Sequence, residues 1–294
     1  MRVARALALA AMIAAPLGAW PPGAGPSGRM RLEFVVDDGV LIHAVCNHGA
    51  LDSADAAASR AVVDLQNRMW LESNASYDLL RGRWSPGLLS SSGATAIATG
   101  LGAFLSAVQA TPEFRVVREQ SERRRAFCEA EWEADRERSE RFVRELTGLT
   151  PRGDYRVVVL HPALSGGENM GHQVIRWGGR EDWPHYTTVY MWHEVLHDAL
   201  PRDDLGHVLV QLATDHELRC FLDPGADRNA YVGHAFLADL TRRVMPHWER
   251  YRRERRGDLR ALYAQLAALH LGGQGRGDTG LSLQLGPEGV EDER

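Results

Sequence analysis

The chain has 294 residues, a formal net charge of −5 and 44% hydrophobic residues. This length is enough for one large domain or two modest domains with hydrophobic cores. The net negative charge argues against nucleic acid as a partner, because nucleic-acid-binding surfaces carry an excess of basic side chains. We therefore expect a folded protein that acts on, or binds to, something other than nucleic acid.

Residues 1–19 have the pattern of a secretory signal peptide. Arg2 and Arg5 supply a positive start, and residues 6–15 form an apolar stretch that is too short to span a bilayer. Residues 20–28 are rich in Pro and Gly, which predicts a linker. The sequence therefore predicts export to the periplasm or the extracellular space, with no stable membrane span after removal of the signal peptide.

Residues 29–150 are predicted to form a mostly helical N-terminal region. An alternating run at residues 31–36 predicts a first strand, and helical patterns follow at residues 53–71 and within residues 88–110. The longest predicted helix begins at Thr111 and ends near Leu146. Its Arg and Glu residues are interspersed, which predicts a scaffold helix with a solvated, charged face.

Residues 151–271 are predicted to form the catalytic region. Residues 154–160 (DYRVVVL) and 172–177 (HQVIRW) have the composition of strands, and the stretch between them is predicted to be a Gly-rich turn. Two amphipathic helices are predicted for residues 229–251 and 258–271. Residues 272–294 are Gly-rich with an acidic end, and we expect them to form a flexible tail.

The stretch YTTVYMWHEVLHDAL contains the HExxH pattern of zinc hydrolases. On a helix, His193 and His197 stand on one face with Cβ atoms about 5–6 Å apart. Two imidazoles at this spacing can bind one zinc ion, which keeps a coordination position open for water in catalytic sites. Glu194 is then placed to act as the general base on a zinc-activated water.

The local sequence around the motif also predicts a buried helix. Thr187 and Thr188 fit the start of this helix, because threonine side chains cap helix N-termini. Val189, Trp192 and Leu196 fall on one stripe at helical spacing and are predicted to face the core.

A catalytic zinc site needs a third protein ligand, and the next helical segment offers Glu217, 20 residues after His197. This distance fits two antiparallel helices joined by a turn, which could bring both residues to the same ion. At this point the chain resembles the gluzincins, the thermolysin-like zinc peptidases, in which a glutamate on the following helix completes HExxH. The resemblance implies that His193, His197 and Glu217 bind Zn²⁺ and that Glu194 is the general base. It covers about 25 of the 294 residues.

Two alternatives for the third ligand remain open. The run HEVLHDALPRD is similar to the metzincin pattern, with Asp203 as the last ligand, but Leu200 stands where that family has a turn-forming glycine. His216 and Cys220 form a further pair at helical spacing. His216 also stands where thermolysin-like enzymes usually have an asparagine. If Asp215 or His216 reached the ion as a fourth ligand, the site would be closed.

The resemblance implies a zincin-like fold, in which an edge strand before the HExxH helix binds the substrate backbone. We expect an α+β protein of this type, predominantly helical, with a small β-sheet before the active-site helix. Tyr231 and His234 follow the helix that carries the predicted third ligand. At this position in the chain, either side chain could reach the active-site cleft and donate a hydrogen bond to a developing oxyanion.

The expected function is an exported zinc metallopeptidase that acts on peptide or protein substrates. One alternative is a non-catalytic exported binding or envelope protein with a structural metal. Another is a zinc hydrolase that acts on a different bond, because the ligands report the metal and not the substrate.

Overall fold

The computed structural model describes residues 30–48, 56–82, 91–164, 166–178, 183–228 and 233–271. The predicted signal peptide, linker and C-terminal tail lie outside these residues. Within them the chain is α+β, with many helices and a small mixed β-sheet. None of the helices in these ranges combines the length and the apolarity that a membrane crossing requires.

The helices are α1 (Asp38–Asn47), α2 (Ala56–Glu72), α3 (Asn74–Leu80), α4 (Ser91–Gln109), α5 (Pro112–Thr147), α6 (Tyr186–Leu196), α7 (Asp204–Gln211), α8 (Arg219–Leu222), α9 (Ala238–Glu254) and α10 (Leu259–Ala268). A π-helical segment (Leu212–Leu218) joins α7 to α8, and a 3-10 turn (Ala235–Leu237) precedes α9. The strands are β1 (Met30–Val35), β2 (Gly153–Val159), β3 (Gly166–Gly171) and β4 (Val174–Gly178).

The four strands form one sheet in the order β1-β2-β4-β3. β1 pairs with β2 and β2 pairs with β4 in parallel, whereas β3 and β4 are antiparallel. The strands predicted at residues 31–36, 154–160 and 172–177 are confirmed within a few residues. The prediction of a turn throughout residues 161–171 was wrong, because the second half of this stretch is the edge strand β3. Its glycines hid the strand, since glycine has a low β-propensity.

Two hydrophobic clusters form the core, and α5 passes from one to the other. The first contains α1 to α4 and the start of α5, and the second contains the sheet, the rest of α5 and α6 to α10. As predicted, α5 begins after Thr111, whose side chain accepts the N–H of Phe114, and ends before Gly148 in the left-handed conformation. Phe114 packs in the first cluster, and Trp132 and Val143 pack in the second.

The motif helix α6 is buried along its length. Val189, Trp192 and Leu196, the predicted stripe, are each at most 1% exposed. The indole of Trp192 donates a hydrogen bond to Ser139 Oγ at 2.9 Å, and its ring centroid lies 5.7 Å from that of Trp132. Contacts with α5 therefore fix the rotation of α6 about its own axis.

A carboxylate from α5 caps the start of α6, in place of the predicted threonine caps. Glu131 accepts the backbone N–H groups of His185 at 3.0 Å and of Thr187 at 2.8 Å, and it lies 3.4 Å from the N–H of Thr188. These N–H groups have no partner inside the helix, and a negative charge near them is favourable for the helix dipole. Glu131 therefore ties the first turn of the motif helix to the longest helix of the fold.

The capping role of Glu131 predicts that Glu131→Ala lowers the free energy of unfolding by about 1–2 kcal/mol, because the first turn of α6 loses its acceptor. Urea unfolding followed by circular dichroism measures this difference. Glu137→Ala is the matched control, since Glu137 is exposed on the same helix. Equal unfolding midpoints for the two variants would contradict the role.

Candidate metal centre

Three histidines from two neighbouring helices form a cluster. His193 in α6 and His197 just after its end face His207 in α7, and one ligand atom from each lies within 4.8 Å of the other two. The ring centroids are 4.7–5.1 Å apart. Imidazole nitrogens are preferred zinc ligands, and tetrahedral geometry at 2.0–2.1 Å separates such atoms by roughly 3.3 Å, which small side-chain rotations reach. These three residues could therefore hold a metal ion.

A tight link between α6 and α7 brings the third histidine to the other two. Asp203 caps α7 by accepting the N–H of Gly206 at 2.7 Å. A Cβ atom at Gly206 would lie 2.0 Å from the carbonyl oxygen of Pro201, so glycine is needed for the first turn of α7 to pack this closely. This packing places His207 beside His197.

Asp215, in the π-helical segment, orients His193. Its Oδ1 accepts a hydrogen bond from His193 Nδ1 at 3.0 Å, which leaves Nε2 as the nitrogen available to a metal. Burial alone would lower the pKa of His193, but the charge of Asp215 and this hydrogen bond raise it, and the net direction is upward. A carboxylate behind a ligand imidazole fixes the tautomer and makes the imidazole a stronger base.

His197 and His207 are neutral at neutral pH. Burial and then the charge of His193 lower the pKa of His197 to about 3 and that of His207 to about 2. Metal binding requires neutral imidazole, so these two residues need not release a proton to become ligands.

The histidines line an open cavity of about 310 Å³ together with Glu194. The edge strand β3 forms part of the same wall, and a Cβ atom at Gly167 would lie 3.2 Å from Glu194 Oε1 and 2.7 Å from the ring of Trp177. Glycine therefore lets the strand pass directly beside the carboxylate. Burial raises the pKa of Glu194, which is 6% exposed. A carboxylate with a raised pKa beside three imidazoles is suited to accept a proton.

Glu217, the predicted third ligand, is not part of the cluster. Its Oε1 lies 2.6 Å from Arg252 Nη1 in α9, so its carboxylate is neutralised by another partner. Both residues lie in the π-helical segment, where Asp215 faces His193 and Glu217 faces Arg252. The structure brings His207 to the place that the sequence analysis assigned to Glu217.

The other predicted alternatives also have different partners. The carboxylate of Asp203 caps α7 and accepts a hydrogen bond from the hydroxyl of Tyr263. His216 Nε2 lies 2.8 Å from the carbonyl oxygen of Arg228, and Cys220 is a buried free thiol. Within the described ranges, none of these residues belongs to the group that could hold a metal.

The sequence analysis missed His207 because it took the third ligand from further along the same predicted helical segment, at Glu217. His207 follows His197 by only ten positions, which is shorter than a helix, a turn and a return. The available signal was the capping residue Asp203 with Gly206 three positions later. This pair marks a new helix that starts immediately after the motif helix.

A fourth histidine, His234, stands at the edge of the cluster. Its ring centroid lies 4.8 Å from that of His207, and it lines the same cavity. Phe236 stacks on it with centroids 5.3 Å apart, and burial lowers the pKa of His234. Tyr231, the other predicted donor, lies outside the described residues. His234 is therefore placed to touch a ligand that enters the cavity.

Comparison with known proteins yields no match to any protein-family model, curated protein or solved structure. The assignment of a function therefore depends on the residues of the site.

The cluster predicts that His207→Ala weakens zinc binding by more than about 100-fold. The loss of a metal ligand lowers zinc affinity more than the loss of a residue that only orients a ligand. Competition with a chromophoric chelator measures the affinity. Glu217→Gln is the control, and it should bind zinc like the unchanged protein. Equal zinc affinity of His207→Ala and the unchanged protein would remove His207 from the ligand set.

The hydrogen bond to His193 predicts a smaller effect at Asp215. Asp215→Ala should weaken zinc binding by about 10–100-fold, since the imidazole loses its orienting partner. The same competition measures it, with Asp239→Ala as the control on the exposed face of α9. A loss as small as that of the control would show that Asp215 does not support the site.

Proposed function

We propose that this protein is a zinc-dependent metallopeptidase with a zincin-like site. The observation that carries the proposal is that His193, His197 and His207 line one open cavity with the buried carboxylate of Glu194. Three imidazoles are a ligand set of catalytic zinc sites, in which the fourth position stays open to water or substrate.

The residues around the cavity support hydrolysis. Zinc, when bound, supplies a Lewis acid that polarises a carbonyl and lowers the pKa of water to about 7. Glu194 accepts the proton of the attacking water and later donates it to the leaving amine. Asp215 keeps His193 in the tautomer that presents Nε2. The cavity wall excludes most water from Glu194, which strengthens electrostatic interactions there.

The edge strand β3 supports an extended peptide as the substrate. Among the described strands, β3 pairs with β4 alone, so the backbone groups of its other edge can accept an added strand. Gly166 and Gly167 are exposed and place no side chain over this edge. A peptide bonded to β3 would lie along the wall that contains Glu194.

The proposed ligand set differs from the one that the gluzincin resemblance implied, because His207 takes the place of Glu217. The proposal keeps the chemistry of HExxH and the zincin-like order of an edge strand followed by the motif helix. With the signal peptide predicted for residues 1–19, the enzyme would act on peptides or proteins outside the cytoplasm.

His234 favours a second candidate function, an exported binding or envelope protein with a structural metal. Its ring is as close to His207 as the rings of the three proposed ligands are to each other. As a fourth ligand it would close the site, whereas in a peptidase it would donate a hydrogen bond to the developing oxyanion. The two functions differ in whether a small ligand can reach the ion.

The role of Glu194 predicts that Glu194→Gln retains stoichiometric zinc and lowers peptide hydrolysis by about 10²–10⁴-fold. A library of fluorescence-quenched peptides measures the rate, and metal analysis measures the zinc. In the unchanged protein, a chelator should remove the activity and added zinc should restore it. Hydrolysis by Glu194→Gln at the original rate would refute the proton-transfer role.

Acetohydroxamate binding separates the two candidate functions. A peptidase with an open site should bind it at the metal. A structural site predicts a different result: the zinc-loaded protein should neither hydrolyse peptides nor bind acetohydroxamate. The His234→Ala variant should then bind acetohydroxamate, because the fourth ligand has been removed.

A further inference from the structure

Asn169 bonds the edge strand β3 to the end of the motif helix through a buried side-chain amide. Its Nδ2 donates to the backbone oxygen of Glu194 at 2.6 Å and to Asp198 Oδ1 at 3.0 Å. Its Oδ1 accepts the N–H of Gly171 at 2.8 Å and a guanidinium N–H of Arg202 at 2.8 Å. The partners fix the orientation of the amide, because carbonyls and carboxylates only accept and guanidinium groups only donate.

The bond to Glu194 completes the last turn of α6. Carbonyl groups in the last turn of a helix have no helical partner. The carbonyls on either side of Glu194 accept backbone N–H groups from the residues after the helix, whereas that of Glu194 accepts from Asn169. The strand is therefore hydrogen-bonded to the backbone of the proposed general base itself.

A β-bulge turns Asn169 towards α6. Asn169 lies opposite Ile175 and Gly171 lies opposite Val174, so Met170 is an extra residue on β3. Bulges change the direction in which neighbouring side chains point. Here Asn169 is 7% exposed, whereas Met170 is 37% exposed.

Asp198 and Arg202 hold the amide from the other side. Asp198 Oδ2 accepts the hydroxyl of Tyr155 in β2 at 3.0 Å, and Arg202 Nη1 donates to the backbone oxygen of Asn169 at 3.2 Å. These bonds link two strands to the end of α6 and to the loop that follows it. Such support is what holds a reactive group at a fixed distance from its substrate.

We infer that Asn169 is a positioning residue that sets the distance between the edge strand and Glu194, and with it the width of the peptide-binding side of the cavity. The inference rests on the proposed function. Asn169 acts through the backbone of Glu194 and the strand, because the four hydrogen bonds of its amide go to Glu194, Asp198, Gly171 and Arg202 and not to the three clustered histidines. It therefore governs ligands that touch both the strand and the metal, and not ligands that touch the metal alone.

Two probes of the cobalt-substituted full chain test this inference. Azide binds the metal alone, whereas an N-acyl dipeptide hydroxamate binds the metal and extends along the strand. The side chain in Asn169→Asp has the shape of asparagine and keeps the oxygen that accepts from Gly171 and Arg202. It has no N–H group, so it loses the hydrogen bonds to the backbone oxygen of Glu194 and to Asp198. It should weaken hydroxamate binding by about 10–100-fold while azide affinity and the visible cobalt spectrum stay unchanged.

Asn67→Asp, on the exposed face of α2, is the control and should bind both probes normally. Asn169→Ala should behave like Asn169→Asp, and if it does not fold, the aspartate variant decides. Normal hydroxamate affinity in Asn169→Asp would overturn the inference, and so would an equal loss of azide and hydroxamate affinity. If the unchanged protein binds neither cobalt nor azide, the proposed function itself fails.

Discussion

The site depends on the close approach of the first turn of α7 to the end of α6. Gly206 permits this approach, since a Cβ atom there would lie 2.0 Å from the carbonyl oxygen of Pro201. With that contact in place, His207 lies close enough to His193 and His197 for the three to be able to hold a metal ion. Their burial then disfavours protonation of His197 and His207, so one packing contact sets both the geometry and the charge state of the cluster.

The motif helix is held at three points by two other elements of the fold, α5 and β3. Glu131 of α5 caps its start, Ser139 of α5 accepts the indole N–H of Trp192 in its middle, and Asn169 of β3 bonds its end. An eleven-residue helix gains little stability from its own hydrogen bonds. Tertiary bonds of this kind therefore determine where Glu194 stands relative to the cavity.

Local signals in the sequence predicted the parts of the fold that local interactions determine. The bounds of α5 follow from Thr111 and Gly148, and the buried stripe of α6 follows from helical spacing. The cap by Glu131 could not be predicted, because the acceptor lies far away in the chain. The choice between Glu217 and His207 depended on how closely α7 packs against the end of α6, a tertiary contact that helical spacing alone does not show.

The glycine-containing edge strand β3 is the element of the sheet that the proposed chemistry needs most. A side chain at Gly167 would collide with Trp177 and crowd Glu194, so the strand must carry glycine where a branched residue would stabilise it. Its register must then be fixed in another way. The bulge at Met170 and the four hydrogen bonds of the Asn169 side chain supply that constraint. The glycines leave room beside the carboxylate, and Asn169 keeps the strand in place beside the cavity.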